Sequence, residues 1–399
     1  MGLETTPLTE FMDLYVFQES QVKARIGWQS LTTREYLKSG EYGLVGGTNL
    51  VDGKIDWDSI PYVSKWRYDQ DKFIQLQQND VLISKDGTIG KIAFVDSLPF
   101  PSTLNSGVYV IRPKEGKYDP SFMYHLLNSF IFEDFIEKLS AGSTISHLYQ
   151  KDLKHFFVQI PSSLGAQKAI AGVLSDADKN ISTLTSQISK YELFQIGLRT
   201  KLLSGAQRIS GFEAQWETQC LGQLTEPVMG QSPLSASYNK LRNGIPLVQG
   251  QADIEKGFSL ERTWTTQPTR TVPRGTVLMS VRAPVGAISI ASSEVCLGRG
   301  MAGFIPKRID PGYLKHLLRF IEPEWSVFEQ GSTFTAVNKS TVVNFEVSVP
   351  STIEEQKAIA QILDSVGEYL LSLSILLKKL ECLKQGMMND LLTGKVRLV

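Results

Sequence analysis

The stretch Gln167–Leu203 places apolar residues at Ile170, Leu174, Ala177, Ile181, Leu184, Ile188, Tyr191, Leu198 and Leu202, in steps that alternate between four and three residues, with polar Gln195 in the one remaining place. This is a heptad seam, a narrow stripe that an α-helix can bury only against a partner helix. No proline interrupts it, and at 1.5 Å per residue it spans about 55 Å. The chain carries its own partner. Gln356–Leu392 has Ile359, Leu363, Val366, Leu370, Leu373, Leu377, Leu380, Met387 and Leu391, each 189 positions after its counterpart, and Lys384 answers Gln195. Both stretches open on Gln-Lys-Ala-Ile-Ala, follow a Pro-Ser pair (Pro161-Ser162, Pro350-Ser351), and end in Leu-Leu-Ser/Thr-Gly, with Gly205 and Gly394 placed as C-terminal stops.

The repeat extends upstream. Gly142-Ser-Thr matches Gly331-Ser-Thr at 189, His125-Leu-Leu matches His316-Leu-Leu at 191, and Val81-Leu-Ile-Ser matches Val277-Leu-Met-Ser at 196. Leu44-Val-Gly-Gly and Leu247-Val-Gln-Gly correspond more loosely. A drifting offset means short loop changes within one repeated unit. β-branched and aromatic runs between Gly, Asp and Pro breaks predict strands near 43–47, 54–57, 80–84, 89–95 and 107–112, then a helix from Asp119 to Leu139 and a strand into Pro161. The second copy predicts strands near 245–248, 276–280, 285–291 and 300–305, a helix from Pro311 to Phe328 and a strand at 343–349.

The expected fold is α+β: two similar β-rich domains and a pair of long antiparallel coiled-coil helices, related by an internal pseudo-repeat. The expected boundaries are an N-terminal extension at 1–27, a first domain at 28–160, a first long helix at 161–208, a second domain at 209–349 and a second long helix at 350–399. No apolar run reads as a membrane span. Three scattered cysteines, Cys220, Cys296 and Cys382, suit a reducing cytoplasm and give no disulfide or zinc spacing.

No phosphate-cradling P-loop, strand-anchored GxGxxG, HExxH or GxSxG occurs, and neither does the Asn/Asp-Pro-Pro-Tyr/Phe motif with which amino-methyltransferases hold a flipped base. His125 and His316, at matching places in Leu-rich helices, read as structural. Net charge is zero, with 41 basic and 41 acidic residues, but Lys240–Arg319 holds twelve Lys/Arg against five Asp/Glu. Residues 1–160 hold sixteen against twenty, so a basic surface is visible in the second copy alone.

Ser84-Lys-Asp-Gly-Thr-Ile-Gly-Lys, Ala141-Gly-Ser-Thr, Ile160-Pro-Ser, Gln167-Lys-Ala-Ile-Ala and Leu202-Leu-Ser-Gly, each with a second-copy partner, resemble the DNA-specificity (S) subunits of Type I restriction–modification systems. In the second copy, Ala283-Pro284 is read as replacing the first copy's Asp-Gly. The resemblance covers the chain from about Trp28 onward. It implies a non-catalytic subunit with two target-recognition domains, each reading half of a bipartite double-stranded DNA site, with the helix pair as spacer. It also implies two methyltransferase (M) subunits and restriction (R) subunits as partners, which would bind the S-adenosylmethionine, ATP and Mg2+. A cytoplasmic location follows.

Base edges are read by Arg, Lys, Asn and Gln on loops, whereas Gly-rich turns approach phosphates. The candidate DNA-binding residues are Thr48, Asn49, Lys85, Thr88, Lys91, Ser143 and Thr144 in the first copy. In the second they are Lys240, Arg242, Gln249, Gln251, Arg270, Arg274, Arg282, Arg299, Ser332, Thr333 and Lys339. The outward helix faces, with Gln195 and Lys384, are the expected docking surface. The competing reading is a coiled-coil adaptor whose β domains bind protein.

Overall fold

Both seams form unbroken helices, Leu164–Leu203 and Ile353–Leu392, each 40 residues long. The structure, a computed structural model, describes residues 10–26, 30–140, 147–255, 257–282, 284–325 and 337–398. The chain divides into one unit of Met1–Leu184 with Leu376–Val399 and another of Thr185–Ile375. Each unit holds one β-rich domain and one end of each helix. In the first, Ile170, Ala171 and Leu174 share a core with Met388, Leu391 and Leu392. In the second, Leu198, Leu202 and Leu203 pack with Ile359, Ala360 and Leu363. The start of one helix meets the end of the other in both cases, which is antiparallel pairing. Ile181, Leu184, Ile188, Leu370, Leu373 and Leu377 are likewise buried or half-buried.

Two expectations for the helices are corrected. Lys384 is not part of a docking face: its Nζ lies 2.5 Å from Asp178 Oδ1, with 17 % of the side chain exposed. An ammonium in a seam is tolerated because the facing helix supplies the carboxylate. Ile353–Leu392 is also long and apolar enough, by composition, to cross a membrane. Its seam is buried or half-buried while Leu371, Ile375, Leu376 and Leu383 are exposed, so apolar surface remains beyond what helix pairing needs.

The two domains are built alike. In the first unit a four-stranded sheet runs Ser20–Lys23, Val108–Pro113, Val81–Ser84, Ile92–Phe94. The second unit's larger sheet begins with the equivalent Thr225–Met229, Met301–Pro306, Val277–Ser280, Ile288–Ile290. Beside it, Tyr42–Val45 runs parallel to Ser102–Leu104, as Ile245–Val248 does to Val295–Leu297. The 1–27 extension is corrected where it is described. Phe11–Tyr15 pairs antiparallel with Phe157–Pro161, as Trp216–Cys220 pairs with Glu346–Pro350, and Ser20–Lys23 joins the main sheet. These two strands open the repeat. Their short polar alternation, Ser-Gln-Val-Lys with only Ser20 and Val22 buried, is a weak sequence signal.

The repeated motifs have a physical cause. Asp119 caps the helix Pro120–Leu127 by accepting from Phe122 N at 3.0 Å, and Asp310 caps Pro311–Phe320 from Tyr313 N at 2.9 Å. Gln167, fully buried, donates from Nε2 to Pro161 O at 2.8 Å and accepts Asp119 N on Oε1 at 2.7 Å. Gln356 repeats this with Pro350 O at 2.9 Å and Asp310 N at 2.8 Å. The first Gln of Gln-Lys-Ala-Ile-Ala is therefore a clasp joining strand end, helix cap and long helix. The helix expected over 119–139 is split, since Ser129 Oγ takes the carbonyl of Leu126 at 2.6 Å and ends the first segment. The one expected over 311–328 divides into Pro311–Phe320 and Glu322–Trp325, its remainder lying outside the described residues.

Candidate nucleic-acid interface

Three loops meet at one end of the β strands in each domain, tied by the same hydrogen bonds. The first follows Val45 or Val248, the second follows Ser84 or Ser280, and the third follows Leu104 or Leu297. Asn105 N donates to Val45 O at 2.8 Å, and Gly298 N to Val248 O at 2.8 Å. Lys85 N donates to Gly107 O at 2.9 Å, and Val281 N to Gly300 O at 2.8 Å. A fourth segment joins them, because Leu148 N donates to Lys85 O at 2.9 Å and Val337 N to Val281 O at 3.0 Å.

The central hairpin turns on a serine. Ser84 Oγ donates to Thr88 O at 2.6 Å and accepts from Lys91 N at 2.9 Å. Ser280 Oγ does the same with Pro284 O at 2.7 Å and Ala287 N at 2.9 Å. Gly90 and Gly286 then take φ of +83° and +97°, a region open to glycine. The loop shape is thus kept and the sequence alignment is corrected: Arg282 stands where the first copy has Asp86, and Pro284 where it has Thr88.

On this frame the candidate residues separate. Thr48, Thr88, Gln249, Gln251, Arg282 and Arg299 are exposed on the loop set, and Lys339 is exposed at the start of the helix Lys339–Val343, just after the fourth segment. Arg270 joins them, since its carbonyl accepts from Leu297 N at 2.8 Å beside the third loop. Asn49 does not fit a base-reading role. It is buried, accepting Gly46 N on Oδ1 at 2.9 Å and donating from Nδ2 to Ser59 Oγ at 3.2 Å. Asp253 holds Gln249 N at 2.8 Å in the same way, so both side chains shape the loop. Lys85 is mostly covered, with Nζ 3.2 Å from Asp86 Oδ2 and 5.7 Å above the Tyr109 ring, and Lys91 is half-buried. Arg274, Lys240 and Arg242 sit at the opposite strand ends, the last at φ +58° over the Trp264 ring. Ser143, Thr144, Ser332 and Thr333 lie outside the described residues.

Several residues on this face escaped the sequence reading. Asn105 Nδ2 donates to Tyr36 OH at 2.8 Å. His147 contacts Asp86 through Nδ1, its ring lies 4.5 Å from that of Tyr149 at a tilt of 53°, and Tyr149 is exposed. Arg25, buried beneath the third loop, donates to Leu104 O at 2.8 Å and Thr103 Oγ1 at 3.2 Å. Burial, then Arg67, lowers its pKa. The signal for the third loop was present as Leu104-Asn-Ser-Gly against Leu297-Gly-Arg-Gly, 193 apart.

The histidines of the domain helices face the long helices instead. His125 Nε2 lies 2.9 Å from Ser175 Oγ and His316 Nε2 lies 2.8 Å from Asp364 Oδ1. Burial first, with nearby lysines, lowers both pKa values to about 4, so both are neutral structural groups at pH 7.

The family described as "Type I restriction modification DNA specificity domain" matches residues 29–191 and again 213–381. A Methanocaldococcus jannaschii protein named as the type I restriction enzyme MjaX specificity subunit is 30 % identical over 92 % of this chain and 90 % of its own length. The MjaVIII specificity subunit of the same organism is 24 % identical over 93 % of each chain. Among solved structures, the Type I S subunit from M. genitalium superposes with a TM-score of 0.62 over 98 % of each chain at 16 % identity. The HsdS subunit from Thermoanaerobacter tengcongensis gives 0.53 over 99 % of each at 22 %. At these identities the structures show a shared fold.

Proposed function

This chain belongs to the Type I restriction–modification DNA specificity family, and from that membership we propose that each of its two loop sets reads one half of a bipartite DNA sequence. The observation that carries this reading is the duplicated frame. The same hydrogen bonds build the loops twice in one chain, while the side chains they present differ. A repeated scaffold with divergent loop chemistry suits two half-sites of different sequence. Arg270, Arg282, Arg299 and Lys339 would supply phosphate and base contacts in the second domain. Thr48, Thr88, Asn105 and the Asp86–His147 pair would act in the first.

The chain performs recognition, and the chemistry is assigned to its partners. Two methyltransferase subunits would flip the target adenine into their own pockets, using S-adenosylmethionine. Restriction subunits would use ATP and Mg2+. The paired helices would set the gap between half-sites. Leu193, Phe194 and Ile196 on the first helix, 71 %, 54 % and 50 % exposed, would receive a partner's apolar surface. The setting would be the cytoplasm.

The test is DNA affinity of the complex formed with the methyltransferase partners. Binding should weaken steeply as salt rises. Substituting Arg270, Arg282 and Arg299 together by alanine should lower affinity at least tenfold and flatten the salt slope by roughly one for each phosphate contact removed. Unchanged affinity and slope would favour the adaptor reading, in which the β domains bind protein.

A further inference from the structure

We infer that Asp86 and Arg282 occupy one and the same base-reading position in the two domains with opposite charge. The half-sites would then offer opposite edges there, an exocyclic amine of cytosine or adenine to Asp86 and the O6/N7 edge of guanine to Arg282. This rests on the proposed two-reader function and goes on to name what each half-site presents.

The equivalence is structural. Residues 85 and 281 are held on both sides by matching backbone bonds, from Lys85 N to Gly107 O and Leu148 N to Lys85 O, and from Val281 N to Gly300 O and Val337 N to Val281 O. The following residue therefore leaves the sheet from the same anchored point, in a hairpin closed by the same serine. Arg282 is exposed there, and Asp86 keeps 41 % of its side chain exposed.

Asp86 is held rather than consumed by its neighbours. Oδ2 lies 3.2 Å from Lys85 Nζ, and Oδ1 is against His147 Nδ1. Each carboxylate oxygen accepts two hydrogen bonds, so acceptor capacity remains. A carboxylate cannot serve as a phosphate contact, because like charges repel. On a DNA-facing loop it is compatible only with donors, and in the major groove those are the N4 amine of cytosine and the N6 amine of adenine. An arginine at the same place favours bidentate bonding to guanine.

The experiment uses the chain assembled with its methyltransferase partners. Methylome sequencing of a host carrying the wild-type complex gives the bipartite motif. Purified complexes are then tested on duplexes in which each base pair of that motif is replaced singly. Asp86→Ala should lose discrimination of about tenfold or more at one base pair of one half-site. Arg282→Ala should do so at one base pair of the other half-site, where guanine is preferred. Asp86→Arg should shift preference toward guanine at its own position. If that variant fails to fold, Asp86→Asn, which keeps one acceptor oxygen and the side-chain size, carries the comparison with Asp86→Ala. Uniform weakening on every duplex, with base preference intact, would mean that Asp86 only positions the loop and would overturn the inference while leaving two readers in place. A change in both half-sites from one substitution would overturn the two-reader function itself.

Discussion

Replacing Glu355 by alanine is expected to destabilise the second unit by about 3 kcal/mol or more, the cost of breaking a buried ion pair from one side. Glu355 is fully buried. Arg208 donates to it from Nε at 2.6 Å and Nη2 at 2.8 Å, and Trp216 Nε1 adds a bond at 3.3 Å. The variant leaves the guanidinium and the indole N–H facing a hole. The first unit shows that the site can be built otherwise. There the matching Arg397 stacks over Phe11 at 5.6 Å, as Arg208 does over Trp216 at 5.9 Å, and Ala166 lines that pocket in the place of the glutamate. Adding Arg208→Met to Glu355→Ala should therefore recover much of the loss, since an apolar pair of similar volume needs no carboxylate. Urea denaturation followed by circular dichroism measures both. A single-variant loss under about 1 kcal/mol would mean the pair is no better than a surface bridge.

Acid is expected to weaken both units through His125 and His316. In the folded chain each titrates near 4, against 6.5 for an ordinary histidine, because burial disfavours the cation. Asp178 and Asp364 oppose this without reversing it. As pH falls below 6.5 the unfolded chain takes up these protons first, so stability is full above that value and declines between 6.5 and 4. The loss approaches about 3 kcal/mol for each histidine at the acid end. The double variant His125→Gln, His316→Gln should retain the bonds to Ser175 and Asp364 and show a flatter stability profile over that window. Denaturation at pH 7.5, 5.5 and 4.5 gives the comparison. Equal slopes for wild type and variant would exclude the histidines as the cause.

Much of the fold was legible because its strongest signals are local and repeated. Seam residues such as Leu174 and Leu363 recur at heptad spacing, and Asp119-Pro120 and Asp310-Pro311 announce helix starts. Gln167 and Gln356 were visible as a motif, but their clasp was not, because it joins groups that only tertiary structure brings together. The strands Phe11–Tyr15 and Ser20–Lys23 were missed because they are short and weakly patterned. The interface was less legible. Asn49 looked like a base reader by residue type, yet its amide closes its own loop. Asp86 was passed over because a carboxylate seldom marks a DNA surface. Arg274 and Arg242 shared a basic stretch with Arg270 and Arg282 but lie at the other ends of their strands, a separation that strand direction decides and charge counting cannot see.

The central claim is that two separately built readers share one chain. It is tested most directly by exchanging residues 10–161 for those of a relative with a different target and sequencing the methylome of a host carrying the hybrid with its partners. One half-site should change to the donor's sequence, while the other half-site and the gap between them stay the same. A motif altered in both halves, or in neither, would contradict it.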